Sequence, residues 1–156
     1  MSTPIIGGTV KTRMLVLILL VPVASASAQR ATSGVRPIAT VKQLHETMIT
    51  PASDAVFRAS GDAPTNEKGW IEARNQALVL AEAGNLLMLG SRARDNMGWM
   101  KMSRALVDAA ATAASAAGKK DADALAGAGD IITAACEACH QPYRDRGRQM
   151  GIGNGK

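Results

Sequence analysis

The sequence predicts an all-α protein, an antiparallel four-helix bundle, and three observations carry the prediction. Apolar residues recur at alternating steps of three and four in four separate stretches, the spacing that sets them on one face of an α-helix. Short connections rich in glycine, proline and aspartate part the stretches, and short connections make successive helices antiparallel. No period-two alternation of a half-buried strand runs far enough to build a sheet. At 156 residues the chain has room for one such domain.

Residues 1–28 stand apart from that domain as a secretory signal peptide. Lys11 and Arg13 form a basic start, Met14 to Val23 an apolar stretch, and Ala26-Ser27-Ala28 a small-residue cleavage site. The apolar stretch is shorter than the roughly 20 residues of a spanning helix, and Pro22 interrupts its end, which favours removal after Ala28 over an uncleaved anchor. Export of this kind implies the periplasm. The bundle domain then covers 29–156, with a polar, glycine-rich tail from about 147 expected to be flexible.

From Ile38 the first helical pattern runs through Val41, His45, Met48, Ala52, Ala55 and Ala59. Thr40 is placed to cap it. Pro51 falls inside, where a residue without an N–H that crowds the carbonyl one turn back should bend the helix. Gly61, Asp62 and Pro64 mark the loop that follows. The second pattern opens after Thr65 or Asn66, with Glu67 in its first turn, and runs Trp70, Ala73, Ala77, Leu80, Gly84 and Leu87; Gly90 suits its end. The third runs Trp99, Met102, Leu106, Ala109, Ala113 and Ala116 and stops at Gly118, followed by Lys119 and Lys120, whose charges complement a helix C-terminus. The fourth begins near Asp121 and carries Leu125, Ala128, Ile132, Ala135, Cys139 and Tyr143. Seams this rich in alanine and glycine bury little apolar area per residue. Either an apolar cofactor fills the space between helices, or the small residues let the helices pack close.

Lys and Arg number 18 against 13 Asp and Glu, but two of the cations lie in the leader, so the domain carries 16 against 13, or +3. That modest excess, the absence of a polybasic stripe and an aromatic content of 3% argue against a nucleic-acid partner.

Two cysteines in an exported chain ordinarily suggest a disulfide, yet Cys136 and Cys139 lie inside a helical pattern, where a bridge across two residues is geometrically demanding. Cys136-Glu137-Ala138-Cys139-His140 is instead the attachment pattern of a c-type haem. On a helix, positions 136, 139 and 140 share one face, so two thiols can form thioethers to the haem vinyl groups while His140 approaches the iron as its proximal ligand. A thioredoxin-like pair needs a strand before the motif, and a zinc centre needs both cysteines and both histidines of the chain to converge. Met88, Met97, Met100 and Met102 read as core rather than as a copper site.

With its haem motif late in the last helix, the chain resembles the class II c-type cytochromes, the cytochrome c-prime and cytochrome c-556 type four-helix family. CEACHQPYR, from Cys136 to Arg144, resembles that family's signature, including the pair Tyr143-Arg144, and TVKQLHETMITPASDAVF, from Thr40 to Phe57, resembles the first helix of a subgroup. The resemblance spans most of 38 to 146 and implies one covalent haem c per chain. It also implies a distal ligand on the first helix, in low-spin members a methionine. This sequence has His45 at that place, with Met48 three residues on and on the same face; the sequence leaves three readings open opposite His140, namely His45, Met48 or neither. Arg144 is a candidate contact for a haem propionate; Arg146 and Arg148 are weaker ones. Trp70 and Trp99 are assigned to packing.

The function expected is electron transfer between redox donor and acceptor proteins, with no catalytic residues. The alternatives are a five-coordinate, cytochrome c-prime-like protein binding nitric oxide or carbon monoxide, and a haem peroxidase or haem subunit of a larger oxidoreductase. The resemblance also admits a homodimer and association with a membrane oxidoreductase.

Overall fold

The computed structural model describes residues 36–145. The expected leader with its cleavage after Ala28, and the tail with Arg146 and Arg148, lie outside the described residues. The described residues form four helical rods with no strand among them. The first rod is continuous from Val41 to Gly61: α1 (Val41–Leu44), a π-helical turn (His45–Ile49) and α2 (Thr50–Gly61). Then come α3 (Glu67–Leu87), a 3-10 turn (Gly90–Arg92), α4 (Gly98–Lys119) and α5 (Ala122–His140), and a second π-helical turn (Gln141–Asp145) follows. No helix among the described residues is long and apolar enough to cross a membrane.

The caps are local and follow from side-chain chemistry. Thr40 and Gln43 make a reciprocal capping box at the start of α1, as the reading of Thr40 anticipates. Asn66 accepts from the Gly69 N–H at 2.9 Å, and Asp121 accepts from the Ala124 N–H at 2.9 Å, which start α3 and α5. The stop of α4 differs from expectation. The left-handed residue is Lys120 at φ 57, not Gly118, and the Asp121 N–H returns to the Ala116 carbonyl at 3.0 Å to close the end.

The first rod departs from a regular helix for a visible reason. Pro51 has no N–H to give the carbonyl one turn back, and the backbone widens ahead of it: the Thr50 N–H reaches the His45 carbonyl, five residues away. This wide turn rotates the buried face. Leu44, Ile49, Ala52, Ser53 and Val56 are buried, whereas His45, Met48, Ala55 and Ala59 of the expected seam are only half-buried, and Ile38 is 76% exposed ahead of the helix. The other three seams are buried as read, except that Met102, Cys139 and Tyr143 are half-buried.

Contacts at the rod ends make the bundle antiparallel. Lys120 at the end of α4 pairs with Glu67 at the start of α3, and Trp99 Nε1 at the start of α4 donates to the Leu87 carbonyl at the end of α3, 2.8 Å away. The most extensive packing is α3 on α4, then α4 on α5, with α2 against α3 and α5. Along α3 and α4 the alanines Ala77, Ala83, Ala110 and Ala113 are fully buried. A Cβ on Gly84 would stand 2.8 Å from Val107 Cγ2, so the small residues are used here for close approach.

Candidate functional site

The start of α1, the end of α3, the start of α4 and the end of α5 meet at one end of the bundle, joined by hydrogen bonds from Arg92 to Ala39, Trp99 to Leu87 and Tyr143 to Asp95. Both histidines of the chain lie there. His45 opens the first π-helical turn, and His140 is the last residue of α5, immediately before the second. Single wide turns of this kind recur at functional sites, because they aim side chains off the regular helical face.

The His45 and His140 rings face each other with centroids 5.9 Å apart and planes tilted by 40°. Two imidazoles bound to one metal from opposite sides stand with centroids about 6 Å apart, given metal–nitrogen bonds of about 2 Å. His45 Nδ1 lies 3.0 Å from the Val41 carbonyl oxygen. A carbonyl only accepts, so Nδ1 carries a proton, which leaves Nε2 as the nitrogen able to bind a metal. A ring nitrogen donating to a backbone carbonyl while the other nitrogen stays basic is how metal-ligating histidines are usually held.

Cys136 and Cys139 are half-buried, are not joined in a disulfide, and share α5 with His140. Burial, and secondarily the Glu137 charge, pushes the Cys136 thiol up. Burial, with Cys136 next, pushes Cys139 up. Both are therefore protonated thiols at neutral pH, unlike the activated thiolate of a redox pair. Among the described residues no group of three or more His, Cys, Asp or Glu side chains is arranged to hold a metal ion. A haem iron takes its equatorial ligands from the macrocycle and asks the chain only for an axial pair. Two thiols and one imidazole on a single helix, with a second imidazole opposite, are a donor set that fits such a group.

The remaining residues singled out in the sequence sort as follows. Met48 is half-buried and packs against the apolar core. Arg144 is turned onto its neighbour Asp145, with Nε to Oδ1 at 2.7 Å and Nη2 to Oδ2 at 3.3 Å, which raises its pKa through that hydrogen bond. Trp99 is buried and T-shaped against Tyr143, centroids 5.0 Å apart. Trp70 is buried at the opposite end of the bundle, near the Glu67–Lys120 pair.

Sequence reasoning passed over two residues of this region. Asp95 accepts from the N–H groups of Met97 at 2.9 Å and Trp99 at 3.0 Å, and takes the Tyr143 hydroxyl. An aspartate shortly before a helical pattern is a capping signal that could have found it. Arg92 is buried, with Nε donating to the Ala39 carbonyl at 2.9 Å and Nη1 to the Leu86 carbonyl at 3.2 Å. Nothing in the local sequence announces a buried arginine. Comparison with family models, with curated proteins and with solved structures finds no match to this chain.

Proposed function

We propose that the chain is a periplasmic mono-haem c-type cytochrome that carries electrons, with haem c attached at Cys136 and Cys139, His140 as proximal ligand and His45 as distal ligand. The observation that carries this reading is the facing of the His45 and His140 rings at 5.9 Å, the second ring belonging to the Cys-x-x-Cys-His helix. When bound, the haem supplies one-electron exchange between ferric and ferrous iron.

The chain's own residues hold and insulate that centre. The hydrogen bond from Nδ1 to Val41 selects the His45 tautomer, fixes the ring and makes Nε2 a better donor. Leu44, one residue before His45, is buried, and Cys136 and Cys139 are half-buried on α5. With His140 and His45 both holding a haem iron, no position would be left open for substrate or gas, which would suit electron transfer to and from other redox proteins. Two imidazoles favour ferrous iron less than a histidine–methionine pair does, so the potential is expected on the low side for the family it resembles. Association with a membrane oxidoreductase and a homodimer remain part of this reading.

The test is a mass and ferric spectrum of the chain matured with cytochrome-assembly machinery. One haem per chain is expected, with a low-spin optical and low-temperature EPR spectrum that turns high-spin in His45→Ala and is unmoved in Met48→Ala. Loss of the low-spin signal only in Met48→Ala would transfer the distal role to Met48. A high-spin wild type would sink the electron carrier and favour nitric oxide or carbon monoxide binding. Absence of covalent haem would remove both.

A further inference from the structure

We propose that the α3–α4 connection, residues 88–97, is a brace that sets the distance between the two axial imidazoles, with Arg92 and Asp95 as its positioning residues; this rests on His45 and His140 forming the axial pair.

The connection grips both ligand-bearing segments. On the distal side, Arg92 donates to the Ala39 carbonyl at 2.9 Å, two residues before Val41, whose own carbonyl holds the His45 ring at 3.0 Å. The capping box of Thr40 with Gln43 stiffens the chain between those two anchors. Pro37 adds a second contact: its Cγ stands 3.1 Å from where a Cβ on Gly90 would be, and Gly90 has φ +53, a left-handed conformation that excludes other residues without strain. On the proximal side, Asp95 takes the hydroxyl of Tyr143, three residues after His140. Gly98 makes room for that contact, since a Cβ there would stand 2.7 Å from the Tyr143 oxygen. The connection is itself closed by Trp99 Nε1 donating to the Leu87 carbonyl at 2.8 Å.

Arg92 is only 7% exposed, and the Ala39 and Leu86 carbonyls that it holds are neutral. A guanidinium desolvated in this way is costly, and its fork of fixed donors is the feature that spans two separate main-chain carbonyls at once. Lysine has no such fork. The two grips sit three residues apart on one short, closed segment, so the start of the first rod and the end of α5 cannot separate without breaking one of them.

The experiment uses the haem-loaded chain and stopped-flow binding of carbon monoxide to the ferrous protein, which requires one axial ligand to leave. Arg92→Met and Tyr143→Phe are each expected to raise the binding rate about tenfold, the fold by which the open fraction grows, and the double variant further. Arg92→Lys is expected to fall between wild type and Arg92→Met. Tyr143→Phe keeps the ring against Trp99, so it removes the grip without removing the packing. Leu125→Ala, a core truncation near the start of α5 at the far end, should lower the melting temperature and leave the rate within about twofold. Wild-type rates in both brace variants, or an equal rise in Leu125→Ala, would overturn the brace while leaving a His45-dependent low-spin wild type intact. A wild type whose ferric spectrum does not depend on His45 overturns the axial pair, and the brace with it.

Discussion

Replacing Gly84 with alanine sets two effects of known size against each other. Alanine gains about 1 kcal/mol over glycine within a helix. Its Cβ would stand 2.8 Å from Val107 Cγ2, well inside the 3.5–4 Å or so of an ordinary carbon contact, and 3.4 Å from the Ser103 carbonyl oxygen and Val107 nitrogen. The backbone atoms block a simple slide of α3 along α4, and valine in a helix has one strongly preferred rotamer, so the clash is expected to cost about 1–3 kcal/mol. The single variant should therefore lie between neutral and about 2 kcal/mol less stable. Val107→Ala removes the clashing methyl, so the double variant should recover the helix gain. Denaturant unfolding of wild type, both singles and the double gives the coupling energy, expected at about 1–3 kcal/mol. Additivity within about 0.5 kcal/mol would show that α3 and α4 do not depend on glycine at this contact.

Three further outcomes follow from single side chains. Ser103 Oγ is buried without a hydrogen-bond partner among the described residues, so Ser103→Ala should raise stability by about 1 kcal/mol in the same unfolding assay, and a loss would mean that another partner satisfies the hydroxyl. The Tyr143 hydroxyl, and then the Trp99 N–H, hold Asp95 below its ordinary 3.8, while the same hydroxyl bond, and then burial, hold Tyr143 above its ordinary 10.0. Asp95 then contributes stability that is present above 3.8 and lost as pH falls through its depressed value, and Tyr143 stability that is present below 10.0 and lost as pH rises through its raised value. The stability gap between wild type and Tyr143→Phe should form a plateau between those limits and close at both; a gap independent of pH would refute the bond. In the unmodified chain both thiols should alkylate slowly at pH 7 and accelerate only well above 9.0, whereas the proposed haem attachment predicts no reactive thiol in the mature protein; rapid labelling at neutral pH would contradict the half-buried, protonated state.

Much of the bundle was legible because its signals are local. The seams of α3, α4 and α5 follow from apolar spacing, and Thr40, Asn66 and Asp121 cap helices through atoms only a few residues away. The first rod was read less well. The pattern from Ile38 through Ala59 assumed a regular helix, and the wide turn at His45–Ile49 shifted burial onto Leu44, Ile49 and Val56. Pro51 signalled a disturbance, but a proline can kink, break or widen a helix, and the local sequence does not say which. Gly118 was expected to end α4, whereas Lys120 takes the left-handed position, its ammonium held by Glu67 of another helix. That partner is 53 residues away in sequence.

By itself the sequence determined four amphipathic helices, the placement of Cys136, Cys139 and His140 on one helical face, and a short list of side chains able to stand opposite. Periodicity and spacing are properties of neighbours along the chain, and elementary helix geometry turns them into faces. Only the tertiary structure decided that His45 stands opposite His140 and that Met48 packs against the core. It alone brought Arg92 to Ala39 and Tyr143 to Asp95. These contacts join residues far apart in sequence, and they depend on how far each rod is rotated about its axis, which one wide turn in the first rod was enough to change.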